Sequence, residues 1–404
     1  MSNDLTTPTR RNILKIGGGL TLVAAGGLLW RAEDRGVFNH GEGAAYSAWE
    51  MWNAPEYKGT PLALVAAGIL AATPHNTQPW IFRITKNSIS VEADRSRNLG
   101  SMDPYLREMH IGLGCAIENM MLAAPVNGFT ATPQLQTGSL EEDASRAGLS
   151  LAAIMHLTKT DPVPEPSPLH GAIPHRHTDR GPYDRAQNLP DGFSRSLTAL
   201  AGDSSDVRLH LIAEGEMRNR LDTTIVDATA AIIADEEMVH DSSAWFRDGP
   251  DDIEKHKSGV TLDTAGLSPL ILAAAKMLPP VSAETSHKTW LDQTRDVHLP
   301  TAALLGVISV PDRHDIKASL QAGILWQKLH LTAAQAGVAM QPLNQPVEMA
   351  DRDSQLGRAP DWENRLSEFS DEGFEPTFCF RMGTPTRAAP ASPRRLADEV
   401  SDEV

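Results

Sequence analysis

Residues 114–124 have the sequence GCAIENMMLAA and residues 323–333 have the sequence GILWQKLHLTA, and this pair of stretches decides the fold. In each stretch a glycine precedes apolar residues at helical spacing, and a polar pair begins four residues later. A second glycine follows the first after 14 residues in both cases, at Gly128 and Gly337. The repeat predicts two copies of one α+β unit fused head to tail. A chance match between two alanine-rich helices is the alternative.

Composition limits the classes of protein to consider. The chain has 404 residues, of which 41% are apolar, and this is enough to fill a sizeable core. Asp and Glu number 52 against 36 Lys and Arg, so the net charge of −16 argues against a nucleic-acid-binding protein. The two cysteines, Cys115 and Cys379, are too few for a zinc cluster, and their apolar neighbours predict buried thiols.

The N-terminal residues 1–31 have the pattern of an export signal. Arg10 and Arg11 precede an apolar run, Ile16–Trp30, which contains five glycines. As a helix this run would extend over only about 22 Å, which is less than the ~30 Å hydrocarbon core of a bilayer. The pattern predicts a signal of the twin-arginine type and a location in the periplasm or cell envelope, with membrane anchoring if the signal is not cleaved. An amphipathic N-terminal helix is the alternative.

Four prolines between residues 161 and 168 predict an extended connector between the halves. We therefore expect a first half at residues 32–165, a second half at 166–387 and a C-terminal tail at 388–404. A helix-rich section at about 213–275 has no counterpart in the first half, and it is interpreted as an insertion.

The first motif with chemical meaning is ATPHNTQPWIFRI, at residues 72–84. It follows a predicted helix and leads into alternating residues typical of a strand. Pro74 and Pro79 restrict the turn, while Asn76 and Gln78 present amide donors and acceptors. Such a pair suits the mixed donor and acceptor edge of a planar heterocycle. Alternatively, the amides satisfy local backbone groups.

The second motif is HRHTDR, at residues 175–180. In an extended segment Arg176, Thr178 and Arg180 would line one side. Two guanidinium groups that flank a hydroxyl form a phosphate clamp, and a solvated charged loop is the alternative. His175 and His177 lack the spacing of metal ligands, so we expect exposed imidazoles and no metal site.

These motifs resemble the nitroreductase-like FMN oxidoreductases when taken with RMGTP at residues 381–385. The segment DPYLRE at residues 103–108 and the double length narrow the resemblance to the Acg-like branch. The resemblance covers most of residues 60 to 390. It implies an α+β nitroreductase-like fold in which two fused copies form an intrachain pseudo-dimer.

The resemblance also implies which residues bind FMN. The phosphate segment of the family falls on Arg176, Thr178 and Arg180. The loop that contacts the flavin ring falls on Thr73, Pro74, His75 and Asn76, with Gln78 two residues beyond. Arg394 and Arg395 resemble a late basic pair that would also bind the phosphate, or they form a charged terminus. Ala72, Pro74 and Thr178 depart from the residues usual in the family.

Each half lacks part of this set. The first half has the ring loop without a phosphate segment, and the second half has the phosphate segment without a ring loop. We therefore expect one FMN per chain, bound between the halves.

The resemblance implies two-electron transfer from a small-molecule donor through FMN to an acceptor of the nitro-aromatic or quinone type. The sequence assigns no catalytic acid or base. It also has no GxGxxG motif after a predicted strand, so a separate nicotinamide-binding domain is not expected. The twin-arginine export machinery is an expected partner. A flavin-binding or storage protein without turnover is the alternative function, in which the 213–275 insertion acts as a lid. The insertion is otherwise an ordinary packing layer.

Overall fold

The structure is a computed structural model that describes residues 28–143, 145–202 and 206–404. Arg10, Arg11 and most of the apolar run that follows them lie outside the described residues, as does the predicted export signal up to residue 27. Within the described ranges, every helix is too short or too polar to cross a bilayer.

The structure contains both helices and strands, in a mixed order along the chain. The helices are α1 (28–34), α2 (Ala48–Met51), α3 (Pro61–Gly68), α4 (Arg107–Ala123), α5 (Pro168–Ala172), α6 (Phe193–Ala201), α7 (Glu216–Ala234), α8 (Glu236–Ser243), α9 (Pro250–His256), α10 (Pro269–Met277), α11 (Ala283–Gln293), α12 (Leu299–Thr301), α13 (Ile316–Gln335), α14 (Gln345–Gln355) and α15 (Asp361–Leu366). The strands are β1 (Trp80–Ile84), β2 (Ser88–Asp94), β3 (Phe129–Leu135), β4 (Leu149–Lys159), β5 (Arg208–Ile212), β6 (Phe246–Arg247), β7 (Val260–Thr261), β8 (Leu304–Val310), β9 (Ala339–Pro342), β10 (Glu375–Gly383) and β11 (Ser401–Glu403).

Two sheets have the same strand arrangement. The first contains β1-β2-β4-β3 and the second contains β5-β8-β10-β9, and all neighbours within these two sets are antiparallel. In both sets the fourth strand along the chain lies between the second and the third. The structure confirms the predicted α+β class.

Helices α4 and α13 pack against each other at their paired glycines. A Cβ added to Gly114 would lie 2.1 Å from the carbonyl oxygen of Leu320, and one added to Gly323 would lie 2.0 Å from that of Ile111. Real side chains cannot approach a carbonyl so closely, so glycine is required for this helix contact. The two contacts are reciprocal. Leu320 lies three positions before Gly323, and Ile111 lies three positions before Gly114.

The polar pairs that follow these glycines also contact one another. The Gln327 amide donates to Asn119 Oδ1 at 2.8 Å, and Lys328 Nζ lies 3.7 Å from Glu118 Oε2. The first member of each pair therefore faces the second member of the other pair. The hydrogen bond and the ion pair link these polar groups in an otherwise apolar interface, although within the described residues Glu118 Oε2 and Gln327 Oε1 are buried without a hydrogen-bond partner.

The C-terminal residues complete the first sheet rather than the second. Strand β11 pairs in parallel with the edge strand β1, with Phe82 opposite Ser401. Residues 388–404 are thus ordered against the first half, although the sequence analysis assigned them only to a tail. This return of the chain brings Arg394 to the loop that precedes β1.

Residues 161–167 and residues 213–275 differ in their content of regular structure. Residues 161–167 are exposed and without helix or strand, and they join β4 to α5. Residues 213–275 contain α7, α8 and α9, most of α10, and the two-stranded ribbon β6-β7.

Candidate functional site

The loop before β1 has a constrained backbone. His75, Asn76 and Gln78 have φ values of 44°, 55° and 53°, in the left-handed region. Asparagine and histidine tolerate this region better than most residues, whereas glutamine adopts it at a cost of about 1 kcal/mol or more. Such strain persists only where the surrounding structure enforces it, and it is common at functional sites.

The HRHTDR segment begins at the end of a short 3₁₀ turn, Ile173–His175. Its backbone becomes extended at Arg176. Its alternate side chains line one small cavity of about 40 Å³. The structure thus brings the predicted phosphate segment together with part of the predicted ring loop. The predicted residues that line the cavity are Thr73, Asn76, Arg176, Thr178, Arg180 and Arg394.

Three guanidinium groups at this cavity lack an acidic partner. In the described part of the chain, Arg176, Arg180 and Arg394 form no ion pair with a carboxylate, although Arg176 and Arg394 are each only 2% exposed. Arg176 donates instead to the carbonyl oxygen of Leu70 at 3.1 Å. Arg180 likewise donates to a carbonyl oxygen, that of Thr264, at 3.1 Å.

Burial of these cations is electrostatically unfavourable. Desolvation lowers the pKa of Arg176 to about 10 and places the pKa of Arg394 well below its usual value, with a further contribution from the neighbouring charge of Arg176. The Nε atoms of both side chains are buried without a hydrogen-bond partner. Buried cations are normally paired, so the cavity has the electrostatics of an anion site.

Arg394 links the two predicted motifs. Its guanidinium donates to Asn76 Oδ1, to Ser392 Oγ at 2.7 Å and to the carbonyl oxygen of Ala71 at 3.1 Å. Arg394 is therefore buried at the cavity and is not part of a solvated charged terminus.

The remaining predicted residues do not line the cavity. His75 Nε2 lies 2.9 Å from Ser242 Oγ, and burial lowers its pKa to about 4. Gln78 accepts a hydrogen bond at Oε1 from the backbone N–H of Arg395 at 2.9 Å, and the Arg395 guanidinium donates to the Gln78 carbonyl oxygen. Gln78 and Arg395 thus fix the tail against the loop, and Pro74 begins the turn without reaching the cavity.

The expectation of exposed imidazoles is wrong for His177. Its ring packs on Trp49 with the ring centroids 4.6 Å apart, and its Nδ1 atom is buried without a partner. Burial, with the nearby charges of Arg176 and Arg394, lowers its pKa to about 3. His177 is therefore neutral at physiological pH. His175 is exposed, as expected. The described residues contain no cluster of His, Cys, Asp or Glu placed to hold a metal ion.

Residues 257–259 cover the predicted ring loop. Asn76 Nδ2 donates to the carbonyl oxygen of Gly259 at 3.1 Å, and the backbone N–H of Gly259 donates to the backbone carbonyl oxygen of Asn76 at 3.1 Å. Gln78 Nε2 donates to the carbonyl oxygen of Lys257 at 2.7 Å. The amides that the sequence analysis assigned to a heterocycle are thus bonded to the backbone of residues 257–259. We call residues 257–264 the cover segment.

Cavity size agrees with this closed arrangement. One water molecule needs about 10–15 Å³ of such volume, so 40 Å³ accommodates an anion of phosphate size but not a three-ring heterocycle. Entry of a larger group requires the cover segment to move away from Asn76.

Sequence reasoning missed several groups at the cavity. Gly259, Val260 and Thr264 belong to the insertion, and no local pattern placed them beside residues nearly 200 positions away. Ser392 and the carbonyl oxygen of Pro393, which accepts from Asn76 Nδ2 at 2.9 Å, immediately precede the predicted Arg394. That basic pair was the only sequence signal for this part of the site.

Comparison with solved structures gives low similarity scores. The FMN-dependent nitroreductase NfnB from Mycobacterium smegmatis, in complex with NADPH, is 17% identical, with 58% of this chain and 97% of that chain covered and a TM-score of 0.36. A nitroreductase with bound FMN from Desulfitobacterium hafniense is 14% identical, with 57% and 95% covered and a TM-score of 0.31. Scores of this size do not establish a shared fold.

Sequence comparison gives a longer match. No family model matches the chain. Over 349 residues it is 25% identical to "Putative NAD(P)H nitroreductase Rv3131" from Mycobacterium tuberculosis strain H37Rv, with 84% of this chain and 90% of the relative covered. The counterpart from strain CDC 1551, MT3217, matches equally. The chain is therefore similar over most of its length to proteins named as nitroreductases, and this supports the nitroreductase-like resemblance of its motifs.

Proposed function

We propose that this protein is an FMN-dependent, nitroreductase-like oxidoreductase of the Acg-like branch, which passes two electrons to a small acceptor of the nitro-aromatic or quinone type. One observation carries the proposal: Arg176, Arg180 and Arg394 converge on one cavity, and none of the carboxylates in the described residues forms an ion pair with them. The names of the M. tuberculosis relatives support the same chemistry and point to a reduced nicotinamide as electron donor.

The residues of the cavity fit the phosphate of FMN. Three guanidinium groups supply the positive charge that a phosphate dianion needs, and Thr178 adds a hydroxyl beside them. Bound FMN would accept a hydride and pass electrons on. Asn76, held in a left-handed conformation, would orient one edge of the ring once its amide leaves Gly259.

We further propose that the chain is an intrachain pseudo-dimer. Reciprocal contacts of Gly114 and Gly323, and of the polar pairs beyond them, are those expected where an axis relates two copies of one unit. The common strand order of the two sheets supports the same origin. Because the phosphate segment and the ring loop come from different halves, this arrangement gives one FMN per chain.

The visible absorption spectrum of the protein purified after cytoplasmic expression tests the cofactor assignment. We expect a flavin spectrum and a ratio of released FMN to protein near one. A colourless protein that also fails to bind added FMN would contradict the assignment. A reproducible ratio of two would leave FMN in place but overturn the single-site arrangement.

A second candidate function, flavin binding without turnover, is supported by the cover segment. Lys257 and Gly259 of this segment bond directly to the ring loop, and the cavity beside it has a volume of only about 40 Å³. Anaerobic mixing with NADPH distinguishes the two functions. Rapid bleaching of the flavin followed by reoxidation on addition of a nitro-aromatic or quinone indicates an oxidoreductase, whereas an unchanged spectrum with either nicotinamide or dithionite indicates a closed storage site.

We propose export by the twin-arginine route on the basis of Arg10, Arg11 and the apolar run that follows. Folding around a cofactor before export is compatible with the buried position of Arg176 and Arg394. Replacement of both N-terminal arginines by lysine should retain the protein in the cytoplasm, and fractionation of cells measures this.

A further inference from the structure

Helix α10 buries its one charged residue and exposes several of its apolar residues. Its one charged residue, Lys276, is 7% exposed and forms an ion pair with Asp263 at 2.7 Å. Its Nζ also donates to the carbonyl oxygen of Gly36 at 2.7 Å. Meanwhile Leu270 and Leu278, eight residues apart, are 82% and 60% exposed. An ordinary surface helix has the opposite arrangement.

The exposed side of this helix is a continuous apolar stripe. Leu270, Ala274 and Leu278 follow one another at intervals of four residues and are all exposed, with Ile271 beside them. Val281, just after the helix, is also exposed. We call these five residues the α10 stripe. A large exposed apolar patch is a mark of an interaction site.

Helix α1 contributes apolar residues beside the end of the stripe. Arg31 Nε donates to the carbonyl oxygen of Met277 at 3.0 Å, so α1 lies against the C-terminal end of α10. The three residues before Arg31, Leu28, Leu29 and Trp30, are each at least 60% exposed. Tryptophan next to arginine is typical of a segment at a membrane surface.

The sequence before α1 indicates what covers this patch. Residues 16–27 contain no charged side chain and lead directly into Leu28. A phospholipid bilayer suits both an uncharged segment and an adjoining apolar stripe. The net charge of −16 disfavours attraction to an anionic surface, so apolar insertion must supply the binding free energy.

We propose that the α10 stripe and α1 form a surface that lies in the interface of a phospholipid bilayer. The folded chain thereby rests on the membrane through this face, in addition to any anchoring by the N-terminal segment. This inference does not depend on the identity of the cofactor.

Site-specific fluorescence on the full chain tests the proposal. Cys115 and Cys379 are buried, so a single introduced cysteine can be labelled selectively with a polarity-sensitive dye. We expect the dye at Leu278→Cys to shift its emission to the blue on addition of phosphatidylcholine vesicles. The matched control is Leu356→Cys, at an exposed leucine that follows α14, where we expect no shift.

Vesicle flotation provides a second measurement. Leu270→Asp with Leu278→Asp should weaken binding to phosphatidylcholine vesicles by about tenfold or more, while Leu149→Asp with Leu356→Asp, at exposed positions elsewhere, should not. Salt at about 0.5 M should leave binding unchanged, because screening acts on charges. Equal thermal unfolding of the variants verifies that they fold.

Three outcomes would overturn the proposal. Equal vesicle binding by both double variants, without a shift at Leu278→Cys, would mean that the N-terminal segment binds alone. A dye that is already blue-shifted without vesicles, in a monomer, would mean that the chain itself covers the stripe. A blue shift that depends on protein concentration and accompanies dimer formation would identify a second copy as the partner.

Discussion

Replacement of Arg176 and Arg180 by methionine should strongly weaken FMN binding and leave the fold intact. Methionine retains much of the apolar contact of an arginine side chain and removes its charge. Each charge-assisted hydrogen bond to phosphate contributes roughly 1.5–3 kcal/mol, so two lost contacts amount to about 3–6 kcal/mol. We therefore expect the Kd for FMN to rise by about 10²- to 10⁴-fold.

The same substitution should have the opposite effect on the protein without FMN. The pKa of Arg176 is lowered to about 10, because burial disfavours its charged form. Both this value and the usual value for arginine lie above neutral pH, so Arg176 is charged at pH 7 in both the folded and the unfolded protein. Burial of this charge therefore lowers the free energy of unfolding at pH 7 by roughly 3 kcal/mol. Arg176→Met should therefore stabilise the apoprotein. A merely structural arginine would give a loss of stability instead.

Fluorescence titration of FMN with apoprotein measures the affinity, and urea unfolding of the apoprotein measures the stability. Arg83→Met is the matched control, since Arg83 lies on β1 and pairs with Glu92 at 3.0 Å on the sheet surface. Its FMN affinity should equal that of the unmodified protein. Unchanged affinity in the Arg176→Met, Arg180→Met variant would refute the phosphate-site assignment. Lower apoprotein stability in Arg176→Met would refute the electrostatic argument.

Two further predictions concern the contact between α4 and α13. Gly323→Ala places a Cβ 2.0 Å from the Ile111 carbonyl oxygen and should lower the free energy of unfolding by about 3 kcal/mol, whereas Gly171→Ala, in open space on α5, should not lower it. Burial raises the pKa of Glu118 to about 7, so the contribution of this one carboxyl to stability is fully present below pH 4.5 and falls as pH rises toward 7. Compared with an exposed control, Glu165→Gln, Glu118→Gln should reduce this fall by roughly 3 kcal/mol. Urea unfolding across pH checks both predictions, and an unchanged pH slope in Glu118→Gln would contradict the second.

Local features of the fold follow from short-range sequence patterns. The two glycine-led helices and the turn between α3 and β1 lie where periodicity and proline placement predict them. Alternation along the HRHTDR segment places Arg176, Thr178 and Arg180 on one cavity, as an extended backbone requires. These features depend on backbone geometry within a few residues, and a sequence records that geometry directly.

The candidate site could be predicted only in part, because its completion depends on contacts between distant residues. Arg394 reaches Asn76 across more than 300 positions only because β11 pairs with β1 and returns the chain to this loop. Likewise, the cover segment bonds to Asn76 through backbone groups at Gly259, which have no sequence signature.

By itself, the sequence determined the repeated helices, the two motifs and the residue types suited to phosphate and to a heterocycle, since each is a local pattern. Only tertiary contacts bury Arg176 and Arg394 without a carboxylate partner among the described residues, and only they bring Gly114 against Gly323. Those contacts also decided that α10 turns Lys276 inward and its leucines outward. Burial and charge pairing depend on which surfaces meet, and that is a property of the folded chain rather than of any segment.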